Sequence, residues 1–278
     1  MRAPSPRRAR NHIPVARFVL PVSGLTVALR QPTGTEDLLL AEGRIEDPNV
    51  VLALAERLAE TESGTDWTAL PVVDVDTLIV RLRQIVVGQR VVAEIACGNS
   101  SCGQIVDLSF EFDAYLEHHQ PRRGGRRGWR TEPDTEAAGW FLLQADNGAR
   151  VRFRLPTLGD QIAVAHRPGA LAALAARCIH SETLSGRVRT RVEAAMTALA
   201  PPLAGTLQGR CPDCGASIEA WFDARLYCLQ ELRDRARFVH DDVDTLAERY
   251  HWSERAILTL PQVRRTEYVE RARQALAG

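Results

Sequence analysis

The sequence predicts an α+β protein made by tandem duplication of one module, each copy joining helices to a zinc-ribbon-like β-hairpin, with a C-terminal helical tail. Three observations predict it: collinear self-similar strings, cysteine pairs at matching points of those strings, and apolar spacing that switches between helical and strand periods. "SGLTVALRQPTGTEDLLLAE" (Ser23–Glu42) lies over "NGARVRFRLPTLGDQIAVAH" (Asn147–His166) without a gap. "ALAER" (Ala53–Arg57) lies over "ALAAR" (Ala173–Arg177), and "CGNSSCG" (Cys97–Gly103) over "CPDCG" (Cys211–Gly215). "FDA" recurs at Phe112–Ala114 and Phe222–Ala224. Chance supplies any one of these matches, but four in the same order are improbable, and a unit of roughly 100 residues is an ordinary domain size.

Each copy reads alike. A glycine turn, Gly24 or Gly148, opens a short alternating strand, Val27-x-Leu29 or Val151-x-Phe153. Thr33 or Thr157 then caps a helix, with Glu36 or Asp160 at the reciprocal capping-box position. Asp47 followed by Pro48 starts the next helix, whose inner face carries Val51, Leu54, Ala55 and Leu58. A further helix from about Asp76 carries Leu78, Ile79, Leu82, Ile85 and Val86 and stops at Gly88. The alternation of Val106, Leu108, Phe110 and Phe112 predicts a hairpin with cysteines at its tip; Leu207, Gly209, Ile218, Ala220 and Phe222 repeat it.

These signals divide the chain into a basic arm expected to be disordered (1–13), a first repeat (14–118), an Arg/Gly-rich linker (119–138), a second repeat (139–236) and the tail (237–278). In the tail, Ser253 caps a short helix and Pro261 opens the last one.

At 278 residues, 45% hydrophobic and 25% charged, the chain is long enough for a real core. Its 35 basic residues, all Arg, balance 35 acidic ones, which disfavours a protein devoted to nucleic acid. No apolar run approaches the roughly 20 residues that span a bilayer, and the apolar stretch near the amino terminus is too short to be a secretory signal. Cytoplasmic placement is the expectation, and six Cys there favour thiols or metal over disulfides.

Cys97, Cys102, Cys211 and Cys214 are the candidate metal ligands. Structural zinc takes four thiolate or imidazole ligands in a closed tetrahedron, and the pairs complete one if the hairpins meet tip to tip; otherwise they are free thiols. Cys178 and Cys228 read as buried small hydrophobes. The linker arginines Arg122, Arg123, Arg126, Arg127 and Arg130, with Trp129, could contact phosphate and bases, but Glu132, Asp134 and Glu136 follow at once. Trp252, Leu260, Pro261, Arg264, Arg265 and Tyr268 are candidate partner-binding residues on the tail, with His251-Trp252 as a helix-corner anchor. No P-loop, nucleophile elbow or dinucleotide fingerprint occurs, so no catalytic residue is expected.

Taken together, "LPVSGLTVALRQPTGTEDLLL", "FRLPTLGDQIAVA", "CPDCG" with its following "FD" and "ELR", and "YHWSERAILTLPQVRRTEYV" resemble the T-even-type phage baseplate hub assembly chaperone family of contractile tails and phage-tail-like injection systems. The resemblance runs from about Leu20 to Gln274. It implies a non-enzymatic assembly role with hub, spike or tape-measure proteins as partners, and neither nucleic acid nor membrane. A structural baseplate component retained in the particle is the neighbouring reading; a zinc-ribbon nucleic-acid-binding regulator is the reading from another class.

Overall fold

Strands β1 (Ala16–Val19) and β2 (Thr26–Leu29) open the fold of a computed structural model as an antiparallel pair, with Phe18 opposite Val27. The structure describes residues 15–62, 64–122, 125, 128–146, 148–180 and 185–277. The expected arm, 1–13, and Arg123, Arg126 and Arg127 lie outside the described residues.

After β2 come helices α1 (Gly34–Glu42) and α2 (Pro48–Leu58), strand β3 (Ala59–Glu60) and a 3-10 turn (Trp67–Ala69). Helix α3 (Val72–Val86), the hairpin β4 (Arg90–Ala96) and β5 (Ile105–Glu111), and helix α4 (Phe112–His118) follow. The chain then makes β6 (Trp129–Pro133), β7 (Trp140–Ala145), β8 (Arg150–Arg154), α5 (Leu158–Val164), α6 (Ala170–Cys178) and β9 (Ile179–His180). Helix α7 (Gly186–Leu199), the hairpin β10 (Ala204–Arg210) and β11 (Ser217–Asp223), and α8 (Ala224–Ala236) complete this part. The tail is α9 (Val239–Tyr250), α10 (Glu254–Leu258) and α11 (Gln262–Ala277). From β2 to α4 and from β8 to α8 the elements follow the same order, apart from the 3-10 turn. Both strand sets are antiparallel: β1-β2-β3, and β6-β7-β8-β9 with one strand more.

That extra strand corrects the linker reading. Trp129–Pro133 pairs with Phe141–Ala145, and Trp129 is buried against Leu143 and Val151 rather than free to stack on bases. Its apolar indole outweighs the polar composition around it. Helix α3 also begins earlier than the periodicity suggests, at Val72. Pro71 precedes it, and Asp74 in its first turn accepts the Val22 and Ser23 amides at 2.8 and 2.9 Å. Burial raises the Asp74 carboxyl above its usual range although those donors oppose the shift.

Both capped helices form as the sequence predicts. The Thr33 amide donates to Glu36 at 2.9 Å and the Thr157 amide to Asp160 at 3.1 Å. Burial pushes the Glu36 carboxyl up, but Arg30, bonded at 2.8 Å, and the Thr33 amide outweigh it and hold it low. Asp160 behaves alike: Arg154 and Arg177 overcome burial and depress it strongly.

The same backbone junction occurs twice. Thr33 bridges to Pro261 while the Gly34 amide donates to the Leu260 carbonyl at 3.1 Å. Thr157 bridges to Pro71 while the Leu158 amide donates to the Leu70 carbonyl at 3.0 Å. Each Pro-Thr helix start is thus received by a Leu-Pro helix start: the tail receives the first half, and α3 receives the second. Gly34 is required at the first junction, since a Cβ there would stand 2.9 Å from the Leu258 backbone.

The largest core contains β2, α1, α2 and α3, and also Ala224, Cys228, Leu229, Leu232 and Ala236 of α8. Helix α8 follows the second hairpin yet packs on α1 and α3 of the first half. Arg83, buried on α3, fixes it there by donating to Glu231 at 2.7 Å. A separate core joins β6, β7 and β8 to Val188, Val192, Ala195 and Leu199 of α7.

Candidate metal centre

Each hairpin carries its pair of cysteines where the strands end. Seven residue pairs hold β4 to β5 and seven hold β10 to β11, so the two-stranded ribbons project their tips alike. At the tips the Cys97 amide donates to Gln104 O at 2.7 Å, and the Cys211 amide to Ala216 O at 2.9 Å. Gly103 and Gly215, each directly after the second cysteine, have φ of +62° and +71°. Only glycine adopts that turn without strain, and it curls the chain back so that both sulfurs of a pair face one point.

The tips meet. Cys97 Sγ lies 3.7 Å from Cys214 Sγ, and Cys102 Sγ lies 3.8 Å from Cys211 Sγ. All four sulfurs fall within 4.8 Å of one another. A tetrahedron with metal–sulfur bonds of about 2.3 Å has sulfur edges of about 3.8 Å, so the cluster has the dimensions of a closed four-thiolate site. Disulfide bonds are excluded at these separations, since an S–S bond is about 2.05 Å.

The electrostatics suit ligation. The Ala216 amide aimed at Cys214 lowers that thiol to about 7, opposed by burial. The Gln104 amide pulls Cys102 down, but burial and the neighbouring sulfurs win and push it up to about 12. Four mutually close thiols resist losing all their protons, and a divalent cation removes that resistance by supplying the countercharge. At the hairpin bases the contact is aromatic. Phe110 meets Phe222 edge-on at 5.4 Å between centroids, and Tyr115 meets Phe222 at 5.5 Å. The ribbons are therefore joined at both ends, by thiols at the tips and rings at the roots.

Cys178 and Cys228 are buried on α6 and α8, away from this cluster. The six tail residues divide between the interior and the surface. Leu260 and Pro261 form the junction with Thr33 and Gly34. Arg265 is buried, donating to Asp37 at 2.6 Å and Asp242 at 2.8 Å. Those three turn inward because two carboxylates and the α1 start are there to receive them. Trp252 stacks on Tyr250 at 5.0 Å and meets Tyr268 edge-on at 5.1 Å, which makes it a corner anchor. His251, with φ of +54°, ends α9 beside it. Arg264 is exposed and lies over the Tyr268 ring. The use of Leu70-Pro71 as a second receiver was missed, although "ALPVV" beside "TLPQV" was a readable sign of it.

Among the described residues no helix is long and apolar enough to cross a membrane. No curated protein and no solved structure matches the chain. The family described as T4 bacteriophage base plate protein matches residues 13–195, from the start of β1 into α7, and leaves the second cysteine pair, α8 and the tail beyond its end. That span is well over half of the 278 residues, and the chain belongs to the T4 bacteriophage base plate protein family.

Proposed function

We propose that the chain is a non-enzymatic assembly factor for the baseplate hub of a contractile tail or injection system, acting in the cytoplasm through protein–protein contacts with hub, spike or tape-measure proteins. Family membership supplies the setting. The observation that carries the mechanism is the convergence of four sulfurs from two hairpins on one point. In this reading the two halves are copies of one ancestral module, and the hairpins are zinc ribbons sharing one structural zinc. Cys97, Cys102, Cys211 and Cys214 would hold it, and the all-thiolate set leaves no open position for substrate or water, as a structural rather than catalytic site requires. The metal ties the hairpin tips, adding to the α8 packing and the backbone junction that already join the halves, so that a partner meets a rigid surface.

Two measurements test this. Elemental analysis of chain purified without chelator should return one zinc per chain, and none for Cys211→Ser; a zinc-free wild type removes the metal from the reading. Deletion in the native host should halt baseplate assembly, with the tagged chain recovered alongside hub-region proteins. Unchanged particle number and composition after deletion would sink the assembly role. Recovery of the chain in stoichiometric amounts from finished particles would instead identify a retained structural component.

A further inference from the structure

Helix α8 does more than close a core; it shows what the second half lacks. In the first half a groove is bounded by Pro32, Asp37, Leu54, Leu82, Val86 and Val263. Aligned by the junctions and the self-similar strings, these become Pro156, Gln161, Leu174, Met196, Ala200 and Val73, and those six residues bound a second groove. The first is filled by α8, which inserts Leu232 and Arg235 and leaves about 110 Å³. Among the described residues no helix enters the second, which has about 390 Å³. Burial follows the filling. Val51 and Leu54 are 1% and 0% exposed, whereas Leu171, at the place of Val51, is 82% exposed.

The helix that follows the first hairpin does not supply the missing cover. Helix α4 has 7 residues where α8 has 13. After it, the Arg122 amide donates to the Ala198 carbonyl near the end of α7, at 2.7 Å.

We propose that this groove, between α5, α6 and α7 with the start of α3 as its end wall, is the docking site for an amphipathic helix of a partner protein. The chemistry of the occupant is given by α8. Its inserted face is Ala224, Cys228, Leu229, Leu232 and Ala236, small residues flanking two leucines at helical spacing. Met196, where the first half has Leu82, adds an adaptable wall of the kind used to accept foreign side chains. Thr197 stands at the place of Arg83, so the partner helix needs no acid equivalent to Glu231. A second copy of this chain is a poor occupant, because its own α8 is already buried. Among the described residues of α11, its last helix, the large apolar group left strongly exposed is Val263 alone.

This deepens the assembly role proposed above by naming a surface for it, and its test is independent. The probe is a fluorescein-labelled peptide with the sequence of residues 223–238, titrated into the full chain and read by anisotropy. Saturable binding is expected. Leu171→Arg and Met196→Arg should each weaken it at least about tenfold, the scale of losing one buried anchor, while Val263→Arg in the filled groove leaves it unchanged. Leu171→Arg should melt like the wild type, its side chain being exposed, and so keeps the test valid if Met196→Arg disturbs folding. Absence of binding up to about 1 mM, or loss through Val263→Arg, overturns the proposal, the latter meaning that the peptide displaces α8. Self-association of the chain abolished by Leu171→Arg overturns it too, in favour of a second copy. Failure here leaves the deletion experiment untouched, and failure there leaves peptide binding untouched.

Discussion

Val51 on α2 and Leu171 on α6 occupy matching places in the two halves, yet one is buried and the other stands in solvent. The difference is not in the halves' own elements, which follow one order, but in what comes after them. The first half is closed by α8 and the tail, both from the far end of the chain; among the described residues the second is closed by its own α7 and the start of α3. The same order of elements can therefore end in a filled core or an open groove, according to whether a later helix reaches it. The junctions teach the same lesson with charge. Both pair a Pro-Thr with a Leu-Pro through the backbone, but the first adds Arg265, Asp37 and Asp242, whereas Val75 stands at the place of Arg265 in the second.

The largest effect should come from breaking that charged junction. Arg265→Ala leaves two buried carboxylates without their shared partner, a defect that typically costs about 3–5 kcal/mol. Urea unfolding at neutral pH should register it, and the cost should shrink in acid, where the orphaned Asp37 carboxyl takes up a proton. Burial already raises Asp37 above its ordinary range despite the hydrogen bond from Arg265. A pH-independent loss would mean that packing, not charge, is what Arg265 contributes.

Next in size is the contrast between filled and open grooves. Leu229, fully buried on α8, should cost about 2–5 kcal/mol when truncated to alanine. Leu171→Ala should cost almost nothing in the isolated chain, because an exposed side chain loses no burial. Comparable losses for both would show that the second groove is already covered in solution.

How much of this was legible in the sequence follows the same division. Short-range signals were readable: the Thr33 and Thr157 caps, Ser253 before α10, and the strands around Val27 and Val151. So was the convergence of Cys97, Cys102, Cys211 and Cys214, because equivalent positions in two similar strings must be brought to equivalent places if the halves meet symmetrically. What the residues did not declare was any contact without a repeat to betray it. The packing of α8 on the first half joins positions about 150 residues apart through ordinary leucines, and such faces look the same whichever half they cover. Arg265 stands among the candidate partner-binding residues of the tail because its partners, Asp37 and Asp242, are distant in sequence and nothing local marks a buried arginine. Trp129 was read with the polar stretch before it, and its strand partner lies beyond that stretch.

The pH dependence of stability should separate the groove rim from the two capped helices, more gently. Asp76, on α3 at the rim of the open groove, is raised to about 6 by burial, opposed by Arg225 at 3.1 Å. A raised carboxyl stabilises the fold while protonated, so its contribution is complete below the unfolded value near 3.8 and is lost as pH rises through about 6. Asp160 and Glu36, held low by arginines, act in the opposite sense and lose their contribution as pH falls below the ordinary carboxylate range. Asp76→Asn should therefore gain on the wild type in melting temperature between about pH 4 and 6. A constant offset across that window would show that Asp76 does not titrate there.

The smallest effect bears most directly on whether the two junctions are equivalent. Thr33→Ala and Thr157→Ala each remove a capping hydroxyl, at a usual cost of about 1 kcal/mol. The hydroxyls bond to Glu36 at 3.0 Å and to Asp160 at 3.1 Å, and the backbone bridges to Pro261 and Pro71 do not depend on them. If both junctions are one device, the two losses should match, and neither should unseat the helix it meets. A Thr33→Ala loss several times that of Thr157→Ala, with faster amide exchange along α11, would mean that the tail leans on its junction in a way that α3 does not. Helix α3 is held from several sides, by α8 and by its place in the main core, whereas α11 rests on α9 and on the first junction. The comparison thus measures how far a shared backbone geometry determines a shared stability when the surroundings differ.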